Sequence, residues 1–339
     1  MKSTFAPGIQ TLDRKKVKWE KHIFDLSPVE KVGDLYFKRE DYFAPLGYGN
    51  INGSKLRVCI WLINKALEEG AKGVVHGAVS GSPQHPMVAT ICKHYGVPCI
   101  DIVGVQDIQG HKNLEIAKEM GVQFVFSNVG YAKTLESKAY DTRDKSHPDF
   151  FVLETNITVN EDRNSPERIR SFHNVGSYQS YNIPPHIETI ILPAGSCNSC
   201  VGALFGIAEK RPKNLKRVIL CGIGNYGSKD PDYVRRRLQL IGAPDVYSWN
   251  NVVGNAEVSG LPFTDEEDRI QVLHVDCYVR PDNHKQYTTY ADLMPYNYHG
   301  IDLHPRYEGK IWNWIQDFGK LDDYLNDKSM FWIVGSEPK

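Results

Sequence analysis

The chain has 339 residues, of which 41% are hydrophobic and 24% charged; these values exclude a disordered, collagen-like or disulfide-scaffold protein and suit about two globular domains. The 40 basic and 41 acidic residues give a formal net charge of −1, which supplies no reason to expect a nucleic-acid or membrane partner. No apolar run approaches the ~20 residues of a membrane-spanning helix, and the lysine-rich N-terminus lacks the apolar core of a signal peptide. Seven scattered cysteines favour reduced thiols and a cytoplasmic location.

Short apolar strands alternate with amphipathic helices along the middle of the chain. In chain order the pattern predicts a strand at 35–37, a helix at 54–69, a strand at 73–75, a helix at 86–94, a strand at 98–103, a helix at 110–120, and strands at 122–126 and 189–192, followed by a helix at 201–208 and a strand at 218–221. The helix at 54–69 is the clearest, because its apolar residues recur every three or four positions before Gly70 ends it.

The fold class predicted from this alternation is α/β, with two parallel or mostly parallel sheets covered by helices. We expect two lobes. The smaller lobe would span residues 71–155, and the larger lobe would combine 1–70 with 156–339. The polar stretch 127–184 has the weakest pattern and is expected to link them.

Lys55 is the first candidate for chemistry. Ser54 is a predicted N-cap, which would place Lys55 at the first helical position, where the helix dipole disfavours its charged form. The same field favours the neutral amine, which is the form that attacks a carbonyl. A solvated lysine with a screened charge is the alternative that this residue alone leaves open.

Two loops of small residues, each between a strand and a helix, are candidate anion sites. Residues 195–202 could direct amides and hydroxyls at a phosphate, or they could form an ordinary tight turn. Residues 80–85 could hold a carboxylate. Alternatively, Ser82 is only an N-cap and Pro83 the first helical residue.

Four segments in this order resemble the fold-type II pyridoxal-phosphate (PLP) enzymes, the tryptophan synthase β-like family. The nearest branch is that of 1-aminocyclopropane-1-carboxylate deaminase and D-cysteine desulfhydrase. The segments are the charged run and glycine-rich loop leading from Lys38 to Lys55, the loops at 80–85 and 195–202, and the Tyr-Glu-Gly-Lys motif at 307–310. The resemblance covers roughly 35–121, 189–224 and 299 to the C-terminus. It implies pyridoxal 5′-phosphate bound in a cleft between two lobes, and a homodimer.

The resemblance also implies a role for each matching residue. Lys55 would hold the cofactor as a Schiff base and then act as a general acid or base. Ser82 would contact the substrate carboxylate or move a proton, and Tyr307 would face the reacting carbon. Ser336 would contact the pyridine nitrogen of the cofactor. The cofactor phosphate would be cradled by Gly195, Ser196, Cys197, Asn198 and Ser199.

The chain departs from the family pattern in three places. Pro83 stands where relatives carry asparagine, so that the contact to the cofactor's ring hydroxyl would pass to Gln84 or to another group. Cys197 and Asn198 stand where glycines are usual. Residues 290–302 are too few for a helix that relatives have there, which would leave room for an amino acid attached to a larger carrier.

The sequence thus predicts a PLP-dependent enzyme that acts at Cα or Cβ of a small amino-acid substrate by elimination, deamination, replacement or decarboxylation. An alternative substrate is an amino acid carried on a nucleoside or nucleic acid, although the near-neutral charge argues against a polymer. An NAD-dependent dehydrogenase using the glycines of 222–227 is a second alternative, weakened because 228–231 separate them from a helix. A non-catalytic fold relative is a third, suggested by Pro83. No metal site is predicted, because the cysteines at 197 and 200 lack a second ligand pair.

Overall fold

The protein is described by a computed structural model over residues 18–223, 231–252, 269–283, 285–319 and 321–338. The described residues form two compact units. The large unit contains residues 24–54 and those from 173 onward, and the small unit contains 18–23 and 55–172. Each unit has its own parallel sheet with helices, which confirms the predicted α/β class and the two lobes.

The helices and strands are numbered in chain order. The helices are α1 Ser54–Glu68, α2 Gln84–Tyr95, α3 Lys112–Glu119, α4 Ala132–Ser146, α5 Pro166–Ser177, α6 Asn198–Lys210, α7 Pro231–Leu240 and α8 Glu308–Phe318. The strands are β1 Val29–Val32, β2 Leu35–Arg39, β3 Gly73–Ala78, β4 Cys99–Val103, β5 Gln123–Phe126, β6 Phe150–Leu153, β7 Thr189–Ala194, β8 Arg217–Gly222, β9 Tyr247–Val252, β10 Ile270–Asp276, β11 Tyr296–Tyr298, β12 Ile301–Leu303 and β13 Ser329–Ile333.

The small unit is built on a four-stranded sheet in the order β5-β4-β3-β6, in which every pair is parallel. Ala78 pairs with Val103 and Val103 with Phe126, so β3, β4 and β5 end at the same level. Buried side chains of β3, β4 and β6 pack against α4 to form the core of this unit. The loops that follow β3, β4 and β5 therefore lie along one edge of this sheet.

The large unit contains a seven-stranded sheet in the order β1-β2-β13-β7-β8-β10-β9. Only β1, which is antiparallel to β2, departs from the parallel arrangement. The strands β2, β13 and β7 are neighbours and run in the same direction. The segments that follow them, at 40–53, 334–336 and 195–197, consequently meet at the carboxyl edge of the sheet, where ligands of open α/β sheets bind.

The prediction that 127–184 only links the lobes is wrong. This stretch forms α4, β6 and α5, and β6 pairs with β3 as the fourth strand of the small sheet. The signal was weak because β6 is only four residues long and α4 carries mostly polar residues. Predicted and observed helix ends also differ, since α2 begins at Gln84 rather than at 86 and α6 at Asn198 rather than at 201.

The predicted lobe boundaries differ from the division into units, because α1 from Lys55 onward and residues 156–172 belong to the small unit. Contacts within that unit join the two segments. The rings of Trp61 and Phe172 lie 6.4 Å apart, and Arg168 forms an ion pair of 2.5 Å with Glu69. None of the helices in the described ranges is long and apolar enough to cross a membrane. All seven cysteines are free thiols and buried.

Candidate cofactor site

The residue that precedes Lys55 is fixed by two hydrogen bonds. The amide of Ser54 donates to the main-chain oxygen of Val334 over 2.8 Å, and the hydroxyls of Ser54 and Ser199 lie 3.0 Å apart. Gly53 has φ +99, and a Cβ there would collide with the main chain of Val334. The segment after β13 and the first turn of α6 thus position the start of α1.

Lys55 is the second residue of α1, and its side chain is half-buried. Burial lowers the pKa of its amine from 10.5 to about 8. The sequence predicts a destabilised ammonium on the basis of the helix dipole, and the structure gives desolvation as the cause. With this pKa, roughly a tenth of the amine is neutral at pH 7, against well under 1% for an ordinary lysine.

The predicted phosphate loop is a tight turn between β7 and α6. Asn198 and Ser199 open the helix, and Cys197 precedes it with φ 60 in the left-handed region. That region favours glycine, which is the residue expected here from the family pattern. The side chains of Ser196 and Ser199 are half-buried. The turn thus places hydroxyl groups at the N-terminal end of α6, and a helix N-terminus with hydroxyls beside it suits an anion.

Tyr307 lies beside this loop. A Cβ placed on Gly195 would be 4.0 Å from Cε1 of the tyrosine ring. Burial raises the pKa of the Tyr307 hydroxyl well above its ordinary value of 10, so the phenol is protonated at neutral pH. The structure therefore brings two of the predicted site elements together at the same edge of the large sheet.

Ser336 follows β13 and is held by Asn52. The amide nitrogen of the Asn52 side chain donates to the Ser336 hydroxyl over 3.0 Å, and the Ser336 main-chain amide donates to the Asn52 side-chain oxygen over 2.8 Å. The hydroxyl accepts in this pair and keeps its own proton for donation elsewhere. Asn52 was not predicted as a site residue, and its contact across 284 positions has no local sequence signal.

Glu308 is a second residue that the sequence interpretation missed. It is fully buried at the start of α8, and its Oε1 accepts a hydrogen bond of 2.6 Å from the main-chain amide of Val334. Its Oε2 is buried without a hydrogen-bond partner among the described residues. Burial raises the pKa of this carboxyl from 4.5 to about 8. The residue stands within the motif at 307–310, but its burial depends on packing that the motif does not encode.

In the small unit, Ser82 lies just before α2. Its hydroxyl accepts a hydrogen bond of 3.2 Å from the amide of Gln84, and its amide donates to the main-chain oxygen of Val79. The predicted helix start at Pro83 is wrong by one residue, because α2 begins at Gln84 with Pro83 as its N-cap. The Ser82 hydroxyl accepts in its contact with Gln84 and can still donate its proton to a ligand. The Gln84 side chain is buried and donates to the main-chain oxygen of Glu154, while its amide oxygen has no partner among the described residues.

A buried carboxylate–histidine pair holds the loop that carries Ser82. His85 contacts Asp101 through Nδ1 at 2.7 Å and the main-chain oxygen of Val79 through Nε2 at 2.8 Å. Burial opposes the charge on His85, but the Asp101 carboxylate outweighs it and raises the pKa of the imidazole. With a carboxylate against Nδ1 and a carbonyl oxygen against Nε2, both ring nitrogens can donate, which fixes the loop that carries Ser82. Nearby His76 is neutral at pH 7, because burial lowers its pKa to about 4.

The glycine pattern at 222–227 is only partly described. Gly222 ends β8, residues 224–230 lie outside the described residues, and α7 begins at Pro231. The structure therefore describes only Gly222 among the glycines of this pattern.

Comparison with known proteins decides the family. No family model matches the sequence. The chain is 34% identical to the O-seryl-dTMP PLP-dependent decarboxylase of Salmonella phage ViI, in an alignment that covers 98% of this chain and 86% of that protein. The chain belongs to the fold-type II pyridoxal-phosphate-dependent enzymes. The predicted family and cofactor are confirmed, and the dehydrogenase and non-catalytic alternatives have no support.

Solved structures share the fold of this PLP enzyme. An ACC deaminase homologue matches with a TM-score of 0.61 and 18% identity, over 91% of this chain and 89% of that chain. The O-acetylserine-dependent cystathionine β-synthase of Helicobacter pylori matches with a TM-score of 0.53 and 14% identity, over 95% of each chain. At these identities the likeness concerns the fold.

The residues of this PLP enzyme fit the cofactor chemically. An amine with a pKa near 8 suits covalent attachment to an aldehyde, and hydroxyls at the N-terminal end of a helix suit a phosphate. The buried oxygen of Glu308 that has no described partner can face a ring nitrogen.

Proposed function

We propose that this PLP enzyme removes the carboxyl group of an amino acid that is carried on a nucleotide, as a serine joined through its side-chain oxygen to thymidylate. In this reaction the bond between Cα and the carboxyl carbon breaks, CO₂ leaves, and a proton is added at Cα while the carrier stays attached. The observation that carries the proposal is the 34% identity over nearly the whole chain to an enzyme named for this substrate and reaction.

The segment at 290–302 supports a substrate larger than a free amino acid. In place of the helix expected from the family, it contains β11 and the turn into β12, with the side chain of Leu293 half-exposed. The two short strands form an antiparallel pair. We propose that this segment leaves room for the carrier beside the reacting amino acid.

Each role in the proposed reaction would fall to particular residues of the chain. Bound PLP supplies an electron sink for the charge that develops at Cα. The turn of 195–199 would bind the cofactor phosphate, and Lys55 would carry the cofactor and deliver the proton to Cα. Ser82 would donate its free hydroxyl proton to the substrate carboxylate and orient the bond that breaks. Tyr307, protonated at neutral pH, would face the reacting carbon.

Two residues compete for the pyridine nitrogen of the cofactor. Ser336 offers a hydroxyl that stays neutral, which would leave the nitrogen unprotonated and weaken the electron sink. Glu308 offers a carboxyl that can share a proton with the nitrogen and strengthen it. Its buried oxygen without a described partner favours Glu308 as a second candidate beside Ser336.

The pH dependence of stability distinguishes them. In cofactor-free enzyme, folded Glu308 keeps a proton that the unfolded chain loses above about pH 4.5, so stability falls as pH rises towards 8. From pH 5 to 8 we expect the free energy of unfolding to drop by about 3 kcal/mol more in the wild type than in Glu308→Gln, measured by urea titration. If Glu308 contacts the ring nitrogen, bound PLP will remove most of this difference. An unchanged difference with PLP bound would assign the nitrogen to Ser336.

The proposed reaction can be tested with a serine-linked thymidylate labelled with ¹³C in the carboxyl group. We expect release of labelled CO₂ and a product that keeps both the amine and the nucleotide. Free serine serves as the comparison substrate and should react far more slowly. Release of ammonia or of free thymidylate without CO₂ would instead show deamination or elimination, and equal rates on free serine would refute the carrier.

We also propose that the enzyme is a cytoplasmic homodimer. The seven free, buried thiols suit a reducing compartment. The homodimer is implied by the family resemblance, and light scattering of the purified enzyme would give its molar mass.

A further inference from the structure

We propose that an exposed aromatic rim on the small unit binds the nucleotide carrier by stacking on its base. The aromatic rim consists of Phe126, Val129, Tyr131 and Lys133. This inference rests on the proposed function, because it names the surface that would hold the carrier while the amino acid reacts.

The rim contains apolar side chains that are exposed and are not part of a hydrophobic core. Tyr131 is 78% exposed, Phe126 48% and Val129 37%. Among the described residues, seven large hydrophobic side chains are exposed, and three of them lie between positions 126 and 131. Because exposed apolar side chains cost solvation free energy, three of them within one short segment favour a binding surface here.

The loop that presents the rim is tightly held. The amide of Ser127 donates to Val103 O over 2.8 Å, and its hydroxyl bonds to both the amide and the carbonyl of Val129 at 3.2 and 3.0 Å. Gln106 donates to the side chain of Asn128 over 2.9 Å. A loop fixed in this way loses little conformational entropy when a ligand binds.

The rim lies on the edge of the sheet that also carries Ser82. Since β3, β4 and β5 end at the same level, the end of β5 at Phe126 is two strand spacings, on the order of 10 Å, from the end of β3 at Ala78. The loop of Ser82 begins at that point. Asn113, at the start of α3, donates to Gly81 O over 3.0 Å and ties the intervening segment to the same loop. This separation matches the length of a nucleotide that carries an amino acid.

Charge favours a nucleotide over an apolar partner. The side chain of Lys133 is 86% exposed and makes only a long ion pair, 3.7 Å, to Glu136. The side chain of Lys112 is exposed at the same edge. Exposed aromatic rings and an exposed ammonium within one short segment suit a base with its phosphate.

The same chemistry could come from a free nucleotide or from a nucleotide within a DNA strand. An enzyme that acts on a base in DNA must take the base out of the stack, and an exposed aromatic ring can receive it. The two sources are distinguished by using thymidine monophosphate and a thymidine-containing single-stranded oligonucleotide as separate probes.

The test compares PLP-loaded wild type with Tyr131→Ala and Phe126→Ala, using Tyr181→Ala, an exposed tyrosine of the large unit, as the matched control. We expect Tyr131→Ala to raise the Kd of at least one probe about tenfold and the KM for the nucleotide-linked substrate similarly, with kcat and the cofactor absorption unchanged. The control should bind both probes like the wild type. If the variants bind only the oligonucleotide more weakly, the rim binds a nucleotide within a DNA strand. If they bind both probes more weakly, the rim binds a single nucleotide.

An unchanged Kd for both probes in Tyr131→Ala and Phe126→Ala would overturn the proposal. So would a fall in molar mass of these variants, since that would show a second copy covering the rim. If the wild type releases no CO₂ but Tyr131→Ala still weakens thymidylate binding, nucleotide binding by the rim is supported and the proposed decarboxylation is refuted.

Discussion

Replacing Lys55 with alanine is expected to lower kcat by at least about 10³-fold and to abolish stable retention of PLP. The residue supplies both the attachment of the cofactor and the proton for Cα, and general acid–base groups alone contribute ~10²–10⁴-fold. The change in rate is measured as CO₂ release. Cofactor retention is measured by absorption after gel filtration, where a band that borohydride fixes in the wild type should be missing from Lys55→Ala.

Lys65→Ala is the matched control, because Lys65 lies on the same helix but is exposed and paired with Glu68 at 2.6 Å. It should keep wild-type activity and absorption. The pKa of about 8 adds a further expectation, that uptake of PLP by the cofactor-free enzyme speeds up as pH rises towards 8 and then levels off. Activity of Lys55→Ala within tenfold of the wild type would contradict the assignment of this lysine.

Gly53→Ala is expected to lower the free energy of unfolding by about 3 kcal/mol and to reduce activity strongly. The residue has φ +99, and an added Cβ would collide with Val334 O and lie 2.9 Å from Cα of Gly335. Both atoms are main chain and cannot move aside without shifting the segment that holds Ser336. Left-handed strain contributes about 1 kcal/mol of this loss and the collision about 2 kcal/mol.

Gly47→Ala separates the two contributions. Gly47 has a similar φ of +101, but the nearest atom to an added Cβ is Nδ2 of Asn50 at an ordinary 3.8 Å. This variant should lose only about 1 kcal/mol and keep its activity. Urea unfolding of both variants gives the comparison, and equal losses would show that the contact with Val334 does not matter.

The parts of the structure that could be predicted are those encoded by local pattern. The strand β7, the turn after it and α6 follow from an apolar run, a set of small residues and a helical period in immediate succession. The helix predicted at 54–69 matches α1, although Ser54 is its first residue rather than the N-cap that the sequence predicts. The predicted start of α2 at Pro86 is two residues late. A proline also fits within the first turn of a helix, where no amide donor is needed, so Pro86 does not mark the first helical residue.

The parts that could not be predicted depend on contacts between distant residues. Nothing near Glu308 in the sequence indicates that Val334 will bond its carboxylate, or that its other oxygen will be buried. His85 stands in the loop 80–85 that the sequence analysis singled out, but nothing near it indicates that its partner will be Asp101, 16 residues away in β4. Likewise, the sequence does not indicate that Asn52 rather than Asn50 will bond to Ser336, because that contact forms only after β13 has joined the sheet.

The position of β13 constrains the order in which the chain can fold during synthesis. Residues 329–333 lie between β2 and β7, which have no other connection within the sheet. While the ribosome is still translating residue 300, the two halves of the large sheet therefore remain unjoined, with two long strand edges open to wrong pairing. Residues 55–172 complete their four-stranded sheet much earlier. We therefore expect nascent chains to bury the aliphatic face of the small unit first and to depend on chaperones until the last strand arrives.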